Sequence, residues 1–259
     1  MEDDMTNMKQ GPWTRIRPLQ IDEVDDNTAA ALKAGELTWG HFPNNLIKVM
    51  AYCPRLAQTE VEYCNSFIFD PVTTYGDLQT AGFNDRFLKE LVISRTSLIN
   101  RSRYSVTHHS FIGMKLYSDA GRRDEAHSKY LHLHEHEKHP QVYTERERIV
   151  LDYTANVARD AHLVDDKQFS DLRRVLAAHN KADPRTSTLT ETAAARFVDT
   201  QIVELTWLIG HFCLLNRWFT ALQVPDEGPD DEANFQASYE EIVPQDIRDR
   251  NSRILAGEF

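Results

Sequence analysis

The sequence is poor in the features that mark β-proteins, secreted scaffolds and membrane proteins. Runs of alternating β-branched residues are nearly absent, so no segment shows the period-two pattern of a half-buried strand. Cysteine is scarce. Cys53, Cys64 and Cys213 are the three present, and no two stand at a C-x-x-C or zinc-ligand spacing, so neither a disulfide framework nor a structural zinc is expected. Positive charge is in deficit, with 29 Lys and Arg against 40 Asp and Glu and a formal net charge of -11. A nucleic-acid groove or a face for an anionic membrane needs clustered cations, so small molecules or proteins are the expected partners, with no nucleic acid and no membrane. The N-terminal MEDDMTNMKQ lacks a basic stretch followed by an apolar run, so no secretory leader is read there and a cytoplasmic protein is expected. The most apolar segment, Ile202 to Val224, could span a bilayer by length but contains Glu204, His211, Asn216 and Arg217, and reads as a buried core helix.

Helical periodicity is what the sequence does contain. With 259 residues and 41% hydrophobic content the chain can build a sizeable core, and the apolar spacing makes it all-α. Expected helices run from about Asn27 to Ala34 with Gly35 as a stop, Asn44 to Tyr52, and Leu56 to Phe69 after the interruption at Pro54. Asp85 caps a helix to about Leu98, where SLIN is read as a break, and a further helix runs from Ser102 to about Ala120 before Gly121. Thr144 and Glu147 form a capping box ahead of Ile149, Val150, Tyr153 and Val157. Helices from Asp166 to Ala178 and from Thr200 to Leu222 follow, separated by the polar His179 to Thr190. The chain thus divides into a polar leader (1–14), a helical domain (15–225) and an acidic tail (226–259), expected to be extended and to reach a neighbouring subunit.

On a helix, Ser102, Ser105 and His109 fall within about 60° of one another, together with Val106, Gly113, Leu116 and Ala120. Arg103, His108, Lys115 and Ser118 point away, so His109 is the inward histidine and His108 the outward one. An inward imidazole needs a partner, because an unsatisfied buried polar group costs about 1–3 kcal/mol. Glu90, on the preceding helix, is the candidate, and a Glu–His pair of this kind is a proton acceptor with a defined tautomer. The plainer reading is a core histidine with its hydrogen bonds satisfied.

The register Glu90, eleven residues, Ser102-x-x-Ser105, then His109 four residues later resembles the signature of the carboxymuconolactone decarboxylase and AhpD-like superfamily. That superfamily carries cysteines where this chain carries Ser102 and Ser105. PNNLIKVMAYCPRL, the T-E-R-E-R start at Thr144 and DTQIVELTWLIGHFCLLNRWFTALQVP resemble the same proteins, covering roughly residues 15–225. The resemblance implies an AhpD-like helical bundle that assembles as a homo-oligomer, a trimer or hexamer. It also implies a pocket gathering Glu90, Ser102, Ser105 and His109. A disulfide cycle needs thiolates, which serine does not supply at ordinary pH. The expected activity is therefore acid–base chemistry without a cofactor. His109 would be the base or acid and Glu90 its orienting partner, while Ser102 and Ser105 donate hydrogen bonds to a carbonyl or carboxylate. Decarboxylase, lyase, isomerase, cyclase and hydrolase types all fit a small lactone, enol or carbonyl acid. The alternatives are a non-catalytic oligomeric scaffold or ligand-binding protein, and a peroxide reductase using Cys53 and Cys64.

Other candidates have plainer readings. His127, His132, His134, His136 and His139 lack the H-E-x-x-H order, so a solvated connection with no metal is expected. Tyr104, Trp207, His211 and Arg217 are candidate substrate-binding residues, Arg217 for a carboxylate. Glu204 and His211 share a helix face and read as packing braces. Trp207, Phe212, Trp218 and Phe219 read as core or interface.

Overall fold

The computed structural model of the protein describes residues 15–38, 44–68, 82–183, 186–227 and 235–258. The expected leader, 1–14, lies outside them. Among the described residues there is no strand, and no helix is long and apolar enough to cross a membrane.

α1 (Asp26–Thr38), α2 (Asn45–Met50) and α3 (Pro54–Phe67) form an N-terminal layer. Pro54 opens α3 at the position where its missing N–H costs nothing, so the expected interruption is the helix start itself. α4 (Arg86–Asn100) is the axis of the molecule. Twelve of its fifteen residues are buried, because α5 (Arg103–Asp119), α7 (Glu145–Arg159) and α9 (Glu191–Leu222) surround it. Asp85 caps α4 by accepting from the Leu88 amide. The SLIN segment does not break α4. Ser97 and Thr96 return their hydroxyl protons to carbonyls one turn back, and the chain turns only at Arg101, in the left-handed region at φ 52°. α5 then folds back along α4, which places His109 beside Glu90.

α6 (Arg123–His132), which the sequence reading did not anticipate, approaches α5 so closely at Gly113 that a Cβ there would overlap the Tyr130 hydroxyl. The Thr144/Glu147 capping box opens α7, and α8 (Asp166–Ala182) packs against α7 and α9. α9 begins at Glu191, nine residues before the expected start, because Thr190 caps it.

The C-terminal region is not an extended tail. Residues 235–258 fold into α10 (Phe235–Ile242) and α11 (Gln245–Ala256); Val243 in the turn between them and Ile247 and Ile254 of α11 are buried with Leu91, Val106, Met114 and Tyr130 in a second apolar cluster. Acidic composition upstream hid a helical spacing of apolar residues at 235, 239, 242, 243, 247 and 254. α9, too, is not buried on nearly all sides. Phe212 and Phe219 are in the core, but Val203, Trp207 and Leu214 are 68%, 60% and 61% exposed along one face.

Candidate active site

The expected pair is present. His109 Nδ1 lies 2.8 Å from Glu90 Oε2, and since a carboxylate only accepts, Nδ1 is the protonated nitrogen. The other imidazole nitrogen, Nε2, has no hydrogen-bond partner among the described residues, and the ring lines a cavity of about 40 Å³. Glu90 is fully buried behind it and is also held by Arg86, one turn earlier on α4, whose guanidinium bonds the Ile68 carbonyl at 2.9 Å. Burial pushes the Glu90 carboxyl up, but Arg86 and His109 outweigh it and hold the group below the ordinary carboxylate range. Leu46, Ile68, Ile112, Phe212, Leu215 and Phe219 make the walls apolar.

The two serines separate. Ser105 lines the cavity, whereas Ser102, buried at the start of α5, is not part of the lining, and its hydroxyl has no partner among the described residues. Ser105 Oγ is 2.7 Å from Ser97 Oγ, and Ser97 already donates to the Ile93 carbonyl. The proton between the two hydroxyls therefore comes from Ser105, which leaves its oxygen to accept from a ligand rather than donate.

His108 is not outward. It is 5% exposed, with Nδ1 2.7 Å from the Tyr104 carbonyl and Nε2 2.5 Å from Glu227 Oε2. Its face of α5 is covered by the segment beyond Val224: Glu227 meets the ring edge and Phe235 stacks on it at 4.4 Å. Glu227 Oε1 also accepts from the Tyr104 hydroxyl (2.9 Å) and the Asn45 amide (2.6 Å). With one ring nitrogen on a carbonyl and the other on a carboxylate, His108 carries both protons as an imidazolium. Burial pushes it down, yet Glu227 holds it above the ordinary histidine value; Glu227 in turn, pushed up by burial, is held below its own by His108. Tyr104 lines the cavity, but its hydroxyl is committed, donating to Glu227 and accepting from the Leu46 amide at 3.2 Å.

Glu60, on α3, also lines the cavity and was not singled out by the sequence. Its Oε1 accepts from His211 Nε2 at 2.9 Å and from Cys64 Sγ at 3.4 Å. His211 itself faces a second, outer hollow with Trp207, Val203 and Leu214, so the expected substrate-binding residues Trp207 and His211 stand outside the His109 cavity. Arg217 is absent from its lining as well, and its guanidinium bonds the Cys213 carbonyl (2.6 Å) and Asn100 Oδ1 (3.2 Å). Glu204 accepts from the Phe83 and Asn84 amides and pairs with buried Lys89, tying α9 to the approach to α4.

Cys53 is exposed at the start of α3 and Cys64 is buried in its last turn, with burial pushing the thiol well up. Eleven residues of helix separate them by about 16 Å, far beyond disulfide reach. The histidine segment is partly buried rather than a solvated connection: His136 is enclosed and bonds Asp152 at 2.8 Å. His132, Glu135 and His139 bring ligand atoms within 4.8 Å of one another, and the two imidazole rings stack at 3.7 Å between centroids.

No protein-family model and no curated protein matches the sequence. Solved structures do. Over 89% of this chain and 98% of the other, it is similar at TM-score 0.57 and 16% identity to an alkylhydroperoxidase AhpD core, an uncharacterised peroxidase-related protein of Ralstonia eutropha JMP134. A peroxidase-related protein of Silicibacter sp. TM1040 is similar over 86% and 96% of the two chains (TM-score 0.55, 15% identity). The chain has the AhpD-like fold. A third structure, a single-residue variant of the debrominase Bmp8 in complex with 2,3,4-tribromopyrrole, is similar over 90% and 98% (TM-score 0.54, 20% identity). In this chain's version of the AhpD-like fold, α4 and α5 supply the Glu90–His109 pair, and the C-terminal segment closes the opposite face of α5.

Proposed function

We propose that the protein is an acid–base enzyme that needs no cofactor and acts on a small lactone, enol or carbonyl acid. Decarboxylase, lyase, isomerase, cyclase and hydrolase chemistries remain within that class. The observation that carries this reading is the asymmetry of His109: Nδ1 is fixed by an ionised, buried Glu90, while Nε2, at an apolar cavity, has no partner among the described residues. Such a ring moves a proton at one defined atom, and the carboxylate behind it stabilises the imidazolium when it forms. Ser105 presents an oxygen to a ligand hydroxyl or acid proton, one turn from the imidazole. A variant of a debrominase with the same fold forms a complex with 2,3,4-tribromopyrrole, a small planar ring.

The test is turnover of small β,γ-unsaturated lactones and β-oxo acids, followed by NMR. His109→Gln is expected to lower the rate by about 10²- to 10⁴-fold while melting near the parent temperature. An unchanged rate in that variant contradicts the assignment. The competing reading, a ligand-binding or scaffold protein, draws on the narrowness of the cavity, about 40 Å³, and predicts no turnover of any of these compounds.

A further inference from the structure

Two glutamate–histidine pairs meet the cavity. Besides Glu90 and His109, Glu60 enters from α3 with His211 behind it at 2.9 Å. The rings of His109 and His211 both stand nearly perpendicular to Phe212, at 4.9 and 5.8 Å between centroids, so the two pairs flank one aromatic wall. Both hydrogen bonds that Glu60 accepts, from His211 and from Cys64, fall on Oε1. Oε2 carries none among the described residues and is not sealed in the core, so it is the atom a ligand would meet. His109 offers Nε2 on the same terms. Glu60 is thus oriented as a reactive carboxylate is, with one oxygen held from behind and the other left to the pocket.

We propose that Glu60 is a second catalytic group, and that the site's reaction is a proton shift between two carbons of a small enolisable lactone or acid. This rests on the acid–base reading of His109 and adds the second partner and the reaction type. Glu60 Oε2 takes the proton from the carbon next to the carbonyl, and the C–H electron pair becomes the dienolate. Protonated His109, stabilised by Glu90, gives its Nε2 proton to the γ-carbon, which closes the new double bond next to the carbonyl. Substrate and product are isomers, and a proton returns from Glu60 to His109 through water.

The probe is 5-methyl-2(3H)-furanone in D2O, with buffer-catalysed rates subtracted. Deuterium at C3 of recovered lactone reports abstraction, and 5-methyl-2(5H)-furanone deuterated at C5 reports delivery. Glu60→Gln is expected to lose both signals by about 100-fold, and His109→Gln to keep C3 exchange while losing product by about 100-fold. Glu60→Asp, which keeps the carboxylate, should retain measurable exchange. Isomerisation by Glu60→Gln at the parent rate overturns this inference and leaves the role of His109 standing. Loss of both signals in His109→Gln, with Glu60→Asp at the parent rate, makes His109 the base and overturns it equally. Parent protein no faster than buffer at C3 overturns this inference, and turnover of β-oxo acids by the same protein then leaves the acid–base reading of His109 standing.

Discussion

Two adjacent histidines on α5 end in opposite roles, and the difference is one of hydrogen-bond accounting. His109 has one nitrogen fixed and one free; His108 has both fixed, against Tyr104 and Glu227. The His108–Glu227 pair is buried, so removing one partner strands a charge, and His108→Gln or Glu227→Gln should each lose about 3–5 kcal/mol in urea unfolding. The double variant should lose less than the sum of the two. His108 lies above its ordinary 6.5, so its stabilisation is complete below pH 6.5 and is lost as pH rises through the raised value. Glu227 lies below its ordinary 4.5, so its share is complete above pH 4.5 and is lost as pH falls through the lowered value. Stability from this pair is therefore full between pH 4.5 and 6.5 and falls on both sides, and Glu227→Gln should flatten that profile. Glu90→Gln should melt lower than His109→Gln, because it disturbs the Arg86 ion pair as well as the His109 contact. The Glu90–His109 pair was legible because its members sit on consecutive helices at a fixed spacing. Glu227 was not, since it lies 119 residues from His108 in an acidic stretch that shows no pattern.

Helix ends set by local chemistry were also legible: Asp85, Thr144 and Gly121 act as the sequence indicates. What needed the structure was which faces become covered. α6, α10 and α11 have their apolar spacing masked by the charged residues in and around them, and they are stabilised by the cluster they complete around Met114 and Tyr130. The α5–α6 contact gives a sharp contrast between two helical glycines. Gly113→Ala drives a methyl into the Tyr130 hydroxyl and should cost about 1–3 kcal/mol. Gly210→Ala, on α9, meets nothing within 4 Å and should raise stability by about 0.5–1 kcal/mol through helix propensity. Thermal melts of the two variants should move in opposite directions.

For the molecule as a whole, the all-helical fold could be read from periodicity and its likeness to the AhpD-like fold from one spaced motif, but not its outer face. Val203, Trp207 and Leu214 leave an apolar stripe on α9 beside Gly210. If copies of the chain pack through this stripe, Trp207→Glu should sediment as a lighter species than the parent at an unchanged helical content. An unchanged sedimentation coefficient would place any interface elsewhere.

Acid–base chemistry at this site requires that His109, and not His108, present an imidazole nitrogen to the cavity. Brief treatment of the native protein with diethyl pyrocarbonate in mildly alkaline buffer, followed by mass-spectrometric mapping, tests this without a substrate, because the reagent acylates an accessible ring nitrogen that has given up its second proton, the state in which each proton delivery leaves His109. Early modification of His109 at Nε2 is expected, with His108 spared until the protein unfolds. Modification of His108 at the same rate as His109, or a native protein in which His109 is spared, would contradict this assignment.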